Sequence, residues 1–261
     1  MANDVLDIEP IPANGINTQS RKLNPHRLLK REHIWLWTHH CTEHGVAYVQ
    51  HPACFFRDLD AGKIDTSPIK EKIAFFDIEA SNLKANFGYI FSYCLKPLGA
   101  APIERCLTPT EIRSGRFDER LCGHLCTDLR SFDRVVVYWG KSARFDLPFC
   151  RSRVLWHYQQ ASDKDRRKFI FPEYMALYVE DLYDTVKAKL CLHRRRMETV
   201  ADFLDVPSKA HRMDYHHWTR AMAGDKDSLD WILAHNREDV ETLEALWNIL
   251  HGFTRRGKVS I

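Results

Sequence analysis

The sequence predicts an α/β domain built on a mixed sheet, preceded by a small extension rich in cysteine and histidine. Two observations predict this fold class. Three β-runs follow one another between Ile73 and Thr108 with short turn-like segments between them, which favours antiparallel neighbours. After these runs the hydrophobic period changes, and helical segments alternate with two further β-runs, which favours parallel strands. We therefore expect three antiparallel strands and then two parallel strands, flanked by helices.

Each strand and helix is predicted from its hydrophobic period. The run IAFFDIEA, which begins at Ile73, predicts the first strand, and DRVVVYWG is a β-branched run of the kind found in a fully buried strand. The other strands are predicted in NFGYIFSYCLKPL, IERCLT and YMALYVED. Helices are predicted over 119–132, 145–160, 184–192, 197–205, 218–223 and 228–250.

The segment before the sheet divides into a tail, an extension and a linker. Residues 1–20 mix proline, glycine, asparagine and acids without a period, which predicts a disordered tail. Residues 21–60 form the extension, in which five of the eleven residues from Arg21 to Arg31 are lysine or arginine and a short basic helix continues to Trp37. A polar linker is predicted over 58–70, and the main domain over 71–252.

Composition limits the class of protein. With 261 residues, 44% of them hydrophobic, the chain can build one globular domain of ordinary size, and disorder throughout is excluded. No stretch approaches the ~20 consecutive apolar residues of a membrane-spanning helix, so we expect a soluble cytoplasmic protein without a membrane partner. Eight irregularly spaced cysteines predict reduced thiols, some of them binding metal. A net charge of +3 leaves nucleic-acid contacts to local clusters of cations.

Two acids end the first predicted strand. Asp77 and Glu79 are two residues apart, so both side chains continue the row begun by Ile73 and Phe75. Because like charges at a buried strand end repel, a divalent cation held between them is the explanation that we favour. The alternative is a pair of acids solvated at the strand end.

Two further acids follow in the order of the chain. Asp146 comes after the buried strand, where a helix begins, and helix capping is its alternative role. Asp239 lies one turn after His235 on the late helix, at the flank of its apolar stripe. Both positions are suited to lining a cleft.

Taken together, the motifs DIE, FD and HNREDVETL resemble those of the DnaQ-like, or DEDD, superfamily of 3′–5′ exonucleases over residues 71–252. The resemblance implies a ribonuclease H-like fold and hydrolysis with two Mg²⁺ or Mn²⁺ ions, bound by Asp77, Glu79, Asp146 and Asp239. The third motif is also similar to the (Y/H)NxxDV motif of phage-encoded and bacterial predicted exonucleases, which implies a bacterium or a phage-infected cell. The family's histidine normally lies one residue further from its aspartate than His235 does.

His235 is predicted to be the general base for the attacking water. Its position one turn before Asp239 directs both side chains to the same side of the helix, and a neutral imidazole can accept a proton near pH 7. The alternative is that His235 only lines the rim of the cleft.

A cluster of cysteine and histidine predicts a structural zinc site in the extension. Cys41-x-x-His44 and His51-x-x-Cys54 supply four ligands that suit tetrahedral Zn²⁺. The six residues between the pairs could form a short hairpin, and the neighbouring residues His39 and His40 could substitute for a ligand. The alternative is buried thiols with incidental histidines. A zinc site beside the basic helix would form a module that guides nucleic acid.

Cations close to the motifs are candidates for phosphate contact. The alternative for the run at 194–196 is a solvated surface, and for the aromatic Trp218, which follows Lys209, it is core packing. The predicted nucleic-acid contacts are Lys141, Arg144, Arg194, Arg195, Arg196 and Lys209.

Two other polar groups are interpreted as structural. Asp181 and Asp184 flank a strand-to-helix turn and are predicted to be helix caps. Cys122 and Cys126 share one face of a predicted helix while His124 points away, which predicts core packing.

These features predict a metal-dependent 3′–5′ exonuclease that acts on nucleic acid, with DNA favoured over RNA and a single-stranded end favoured as substrate. One alternative is a nucleic-acid-binding or assembly module whose nuclease site is vestigial. Another is a structure-specific endonuclease on the same fold. A partner in replication or recombination is possible but has no signature in the sequence.

Overall fold

The computed structural model describes residues 30–66, 71–141, 144–173, 176–207 and 214–254. Contacts divide the chain into two units, Met1–Glu71 and Lys72–Ile261, which are described in turn. The predicted tail and most of the predicted basic helix, up to residue 29, lie outside the described residues.

The N-terminal unit contains two short helices, α1 (Lys30–Thr38) and α2 (Pro52–Asp60). Proline opens α2, where its missing N–H costs no hydrogen bond. A small core joins these helices to the segment between them, and it consists of Trp35, Leu36, Cys41, Tyr48, Cys54, Phe55 and Phe56. The predicted linker therefore starts too early, because residues 58–60 are helical and Asp58 is buried, with an oxygen 3.0 Å from the Tyr48 hydroxyl that donates to it.

The second unit is built on a five-stranded sheet. Its strands are β1 (Ile73–Ala80), β2 (Ile90–Pro97), β3 (Ile103–Cys106), β4 (Arg134–Val137) and β5 (Tyr178–Asp181). The order is β3-β2-β1-β4-β5, with β2 antiparallel to both β1 and β3 and with β4 parallel to both β1 and β5. The predicted mixed sheet is confirmed. Four strands, β2 to β5, are shorter than predicted. Residues 86–89, 107–108, 138–140 and 176–177, which were included in the predicted strands, form turns, bends or irregular backbone.

Seven helices are described in this unit. They are α3 (Pro109–Arg113), α4 (Glu119–Leu129), α5 (Asp146–Gln160), α6 (Leu182–Lys189), α7 (Met197–Phe203), α8 (Tyr215–Met222) and α9 (Lys226–Leu250). Of these, α3 was not predicted; it begins with a capping box in which Thr108 and Glu111 bond each other's backbone N–H. Within the described ranges, every helix is too short or too polar to span a bilayer.

The two faces of the sheet pack against different helices. Ala74, Phe76 and Ile78 belong to the core that contains apolar residues of α4 and α5, whereas Phe75 belongs to the core formed with the second half of α9. The alternation predicted for β1 is confirmed, and Asp77 and Glu79 follow Phe75 on the α9 side. On the opposite face, Cys122 and Cys126 are fully buried and His124 is exposed, as core packing requires.

Candidate functional site

The two acids of β1 lie where its pairing with β2 becomes irregular. Asp77 is opposite Cys94 and Glu79 is opposite Ser92, and the register then shifts between Glu79 and Ala80. Such a bulge often re-aims side chains beside a functional site. Glu79 is buried, Asp77 is partly exposed, and the buried hydroxyl of Ser92 has no hydrogen-bond partner within the part of the chain that the structure describes.

Helix α9 brings buried polar residues to these acids. His235, Asn236 and Asp239 interrupt its apolar stripe. The Nε2 atom of His235 lies 3.5 Å from Oε1 of Glu79 and 3.6 Å from Oδ2 of Asp239. One potential ligand atom from each of these three residues lies within 4.8 Å of the other two. Glu79 and His235 are 156 positions apart in the sequence. Their side chains come together because α9 packs over β1 and β2.

Asn236 is a site residue that sequence reasoning missed. Its Nδ2 donates a hydrogen bond of 2.6 Å to Oδ2 of Asp77, and the residue is fully buried. Its Oδ1 has no hydrogen-bond partner among the described residues. A signal was present, since Asn236 lies three residues before Asp239 and therefore on the same side of the helix.

The ring of His235 is held by stacking. It lies parallel to the indole of Trp231, with centroids 5.6 Å apart and planes 6° apart. The ring of His217 is also stacked on the indole of Trp231, with centroids 4.7 Å apart and planes 7° apart. The imidazole plane is therefore fixed relative to Glu79 and Asp239.

Asp146 completes the group of four predicted acids. It is buried in the first turn of α5, where Phe145 occupies the N-cap position and no side chain caps the helix, so the capping alternative is wrong. Burial, followed by the charges of Asp77, Asp181 and Asp239, raises the pKa of Asp146 well above its usual range. At Gly140, a Cβ atom would lie only 2.2 Å from Oδ2 of Asp146, so glycine leaves the space that this carboxylate occupies.

Asp181 has a wider role than the predicted cap. It does cap α6, accepting a hydrogen bond of 3.1 Å from the backbone N–H of Tyr183. It also accepts from the backbone N–H groups of Trp139 (2.9 Å) and Lys141 (3.1 Å). These bonds fasten the segment after β4, which leads to Gly140 and Asp146.

Arg144 is engaged within the protein. Its guanidinium forms ion pairs with Asp181 and Asp184 and lies over the ring of Tyr183, 4.8 Å from its centroid. These contacts attach Arg144 to the β5–α6 turn, and its phosphate contact stays a prediction. Asp184 pairs with Arg144 instead of acting as the N-cap of α6. The Nζ atom of Lys141 is 3.9 Å from Asp184.

The other predicted cations are placed as follows. In the segment before α7, the side chains of Arg194, Arg195 and Arg196 are exposed. This exposure is consistent with both predicted roles, phosphate contact and a solvated surface. Lys209 lies outside the described residues. The indole N–H of Trp218 donates to the carbonyl of Ala80 (3.2 Å) and its ring packs on Phe91, which is the core packing considered as the alternative.

The four cysteine and histidine residues of the N-terminal unit also converge. One ligand atom each from Cys41, His44, His51 and Cys54 lies within 4.8 Å of the others. The hydrogen bond with His44 is the largest of the effects that lower the pKa of the Cys41 thiol to about 6. The possible substitutes lie outside this group: the ring of His39 stacks on Trp35 with centroids 4.1 Å apart, and His40 is exposed, pairing through its backbone with Ala47. The predicted hairpin is thus shifted towards the N-terminus.

A third polar group, around Asp118, is a buried ion pair. The carboxylate accepts hydrogen bonds from two nitrogens of Arg153 (2.8 and 2.7 Å), from the ring of His157 (2.8 Å) and from the backbone N–H of Ile90 (2.9 Å). All of its acceptor sites are occupied by protein donors, so this group is structural.

Comparisons with known proteins agree with this architecture. Among solved structures, the family B DNA polymerase from the hyperthermophilic archaeon Pyrobaculum calidifontis is similar, with a TM-score of 0.54 and 17% sequence identity. The match covers 69% of this chain and 24% of the polymerase, so this chain corresponds to about a quarter of the polymerase's length. No curated protein sequence matches the chain.

A family model described as the RNase_H superfamily matches residues 74–251, more than half of the chain. The matched range contains the five strands and the four acids, and the fold is RNase H-like. A family of this kind indicates a nuclease. On this match, the chain belongs to the RNase_H superfamily.

Proposed function

We propose that this protein is a metal-dependent 3′–5′ exonuclease that hydrolyses phosphodiester bonds of nucleic acid. Two observations carry the proposal: ligand atoms of Glu79 and Asp239 lie within 4.8 Å of each other, and the charges of Asp77 and Asp239 act on buried Asp146. These acids come from the end of β1 and from helices α5 and α9. Buried carboxylates raise one another's pKa and destabilise the fold, so their collection at one place is best explained by a cationic ligand.

The donor set fits Mg²⁺ or Mn²⁺. Carboxylate oxygens are the ligands that hard divalent ions prefer, and the glycine at position 140 gives the carboxylate of Asp146 its space. We propose that the four acids, Asp77 among them, would together hold two such ions. When bound, these ions would activate the attacking water and stabilise the leaving 3′ oxygen.

The neighbouring side chains support this chemistry. Asn236 holds Asp77 through its amide N–H and so fixes the direction of that carboxylate. His235 has its Nε2 atom between Glu79 and Asp239, where it can accept the proton of the attacking water. Trp231 keeps the imidazole plane in place during this transfer.

Exposed apolar side chains favour a single-stranded end as substrate. Trp139 lies two residues after the end of β4, is half exposed and has a φ of 63°, a left-handed conformation that is costly for this residue. Leu83 and Phe87, in the segment after β1, are 75% and 77% exposed. Apolar and aromatic surfaces beside a cleft can stack on unpaired bases, which a duplex does not offer. DNA is the first substrate to test, since the similar solved structure is a DNA polymerase.

A labelled-end digestion tests the proposal. Single-stranded DNA labelled at its 5′ end should give a series of products that shorten from the 3′ end in Mg²⁺ or Mn²⁺. The same DNA labelled at its 3′ end should release labelled mononucleotide at once, and circular single-stranded DNA should stay intact. Asp77→Asn should abolish the products, whereas Asp163→Asn, at a side chain that is 94% exposed, should not.

Other outcomes separate the alternatives. Cleavage of the circle would indicate an endonuclease, and binding of DNA without any cleavage would indicate a vestigial site. Faster digestion of an RNA of the same sequence would reverse the substrate preference. Full activity in excess EDTA would contradict the role of metal ions altogether.

A further inference from the structure

In the cysteine and histidine cluster of the N-terminal unit, one ring nitrogen lies at the same distance from two sulfur atoms, and hydrogen bonding alone does not explain both distances. Nδ1 of His44 lies 3.5 Å from Sγ of Cys41 and 3.5 Å from Sγ of Cys54. A ring nitrogen has either one hydrogen or one lone pair, so it completes one hydrogen bond and not two. With Zn–S bonds of ~2.3 Å and Zn–N bonds of ~2.0–2.1 Å, the N···S edge of a tetrahedral site is about 3.5 Å. Both separations therefore match the edges of a zinc tetrahedron.

The backbone presents each pair of ligands from a tight turn. Cys41 and His44 are linked by a turn closed by hydrogen bonds from Gly45 N–H to the Cys41 carbonyl (2.8 Å) and from Cys41 N–H to the Val46 carbonyl (2.9 Å). Gly45 has a φ of 65°, a left-handed conformation that glycine adopts without strain. The second pair lies at the start of α2, where His51 is the N-cap residue and Cys54 lies in the first turn. These two short backbone segments therefore place all four ligand side chains close together.

His51 supplies an independent observation. Its Nδ1 atom is buried and has no hydrogen-bond partner in the described part of the chain. An imidazole nitrogen buried in this way needs a partner, since leaving it without one costs free energy. The ring of His51 meets that of His44 edge-on, with centroids 4.5 Å apart. A ligand atom of each imidazole therefore lies within 4.8 Å of both sulfur atoms.

Charge and size also favour a bound ion. Cys41 is fully buried and Cys54 is 5% exposed, and two thiolates with two neutral imidazoles would neutralise one dication. A nitrogen of Arg57 lies 3.8 Å from the Cys41 sulfur, as a donor to a thiolate would. Both cysteines are free thiols, so both sulfurs are available to a metal ion.

We propose that Cys41, His44, His51 and Cys54 bind one structural Zn²⁺ ion that stabilises the fold of the N-terminal unit. The site is separate from the acids of the nuclease proposal and does not depend on it. Zinc is favoured over other ions because two sulfur and two nitrogen ligands in a tetrahedron suit it, whereas Mg²⁺ and Mn²⁺ prefer oxygen.

Elemental analysis of the full chain, purified without added metal, tests the proposal. We expect about one zinc per chain in the wild type, and a loss to background in Cys41→Ser and in Cys54→Ser. His40→Ala is the matched control, since it removes a histidine one residue from the site and should retain the zinc. Hydrogen exchange within residues 30–66 should accelerate when a chelator removes the ion, because the small core loses its support.

Replacement of zinc by Co²⁺ gives a test that does not depend on a destabilised variant. The wild type should show the strong visible absorption of tetrahedral cobalt with thiolate charge-transfer bands. His44→Cys should keep the metal and increase those bands, because three thiolates replace two. A wild type without zinc that contains a Cys41–Cys54 disulfide would overturn the proposal. So would zinc that stays at one per chain in both serine variants, or a cobalt spectrum without thiolate bands.

Discussion

At the residue scale, Asp146 is proposed to bind metal ions, and its carboxylate destabilises the folded protein when no metal is bound. Its pKa is raised by burial and by the charges of Asp77, Asp181 and Asp239. Because the folded-state pKa lies above the unfolded value of ~3.9, the ionised carboxylate destabilises the folded protein above that pH. Below it the penalty disappears, since the group is protonated in both states.

We expect Asp146→Asn to raise the melting temperature of the metal-free protein at pH 7, by about 2–4 °C for each kcal/mol of penalty removed. The gain should shrink as the pH falls towards ~4, where the wild-type carboxyl is protonated as well. Thermal unfolding in EDTA, followed by circular dichroism, measures the difference.

Added Mn²⁺ should reverse the order of the two proteins. The ion should raise the wild-type melting temperature, because a ligand that binds only the folded state stabilises it, and should raise that of the variant much less. Asp163→Asn, which removes an exposed carboxylate, serves as the control and should behave as the wild type. A lower melting temperature for Asp146→Asn in EDTA would show that the carboxylate is stabilising and would contradict this account.

His235 is expected to act as the general base. His235→Ala should lower turnover by ~10²- to 10⁴-fold with little change in affinity for nucleic acid. Initial rates over a range of DNA concentrations measure turnover and affinity separately.

His216→Ala provides the comparison, since His216 is exposed on α8 and has no contact with the acids in the described structure. Turnover equal to the wild type's in His235→Ala would remove the imidazole from the reaction. In that case its position between Glu79 and Asp239 would serve only to orient the two carboxylates.

At the scale of the elements, Asp118 joins the start of β2 to α4 and α5. Burial raises the pKa of this carboxyl, but hydrogen bonds from His157 and Arg153 outweigh burial and hold the pKa below its usual range. The folded-state pKa is therefore below the unfolded value of ~3.9. The interaction stabilises the fold above that pH, and its contribution is lost as the pH falls through the folded-state pKa.

Asp118→Asn should lower the free energy of unfolding at pH 7 by about 3–5 kcal/mol, because it leaves the guanidinium of Arg153 buried without its counter-ion. The difference from the wild type should decrease in acid, where the wild-type carboxylate is neutralised. Urea denaturation at several pH values measures it. An effect within ~0.5 kcal/mol, the range of an ordinary surface substitution, would contradict the structural role.

The elements that the sequence predicted are those with a long or clear period. The hydrophobic period of the β1 run and of the 25-residue helix α9 is enough to predict the type of each element, and both are found at their predicted places. Helices α2 and α3 were missed because they are short, at 9 and 5 residues, and depend on a proline start and on packing or capping. The predicted β5 extended over residues 176–177, which the structure places outside the strand, because Leu177 packs in the core without joining the ladder.

At the scale of the whole molecule, the order of the four acids along the chain could be predicted from the sequence, but the residues that contact them could not. Asp77 and Glu79 share a face because strands alternate, and Asp239 follows from helical period. Asn236 and Gly140 act through contacts with residues that tertiary packing alone brings to them, and no local period predicts those contacts. The ion pairs of Arg144 were not predicted for the same reason, because its partners Asp181 and Asp184 are far along the chain.

The central claim is that these four carboxylates hold the ions that hydrolyse a nucleic-acid end. A crystal structure with Mn²⁺ and a short single-stranded DNA, ending in a cleavage-resistant phosphorothioate linkage, tests it most directly through anomalous scattering. The account predicts two manganese peaks ~3.5–4 Å apart, in contact with Asp77, Glu79, Asp146 and Asp239, with the last linkage of the 3′ end between them. Manganese bound elsewhere, or a DNA end that lies away from these acids, would contradict it.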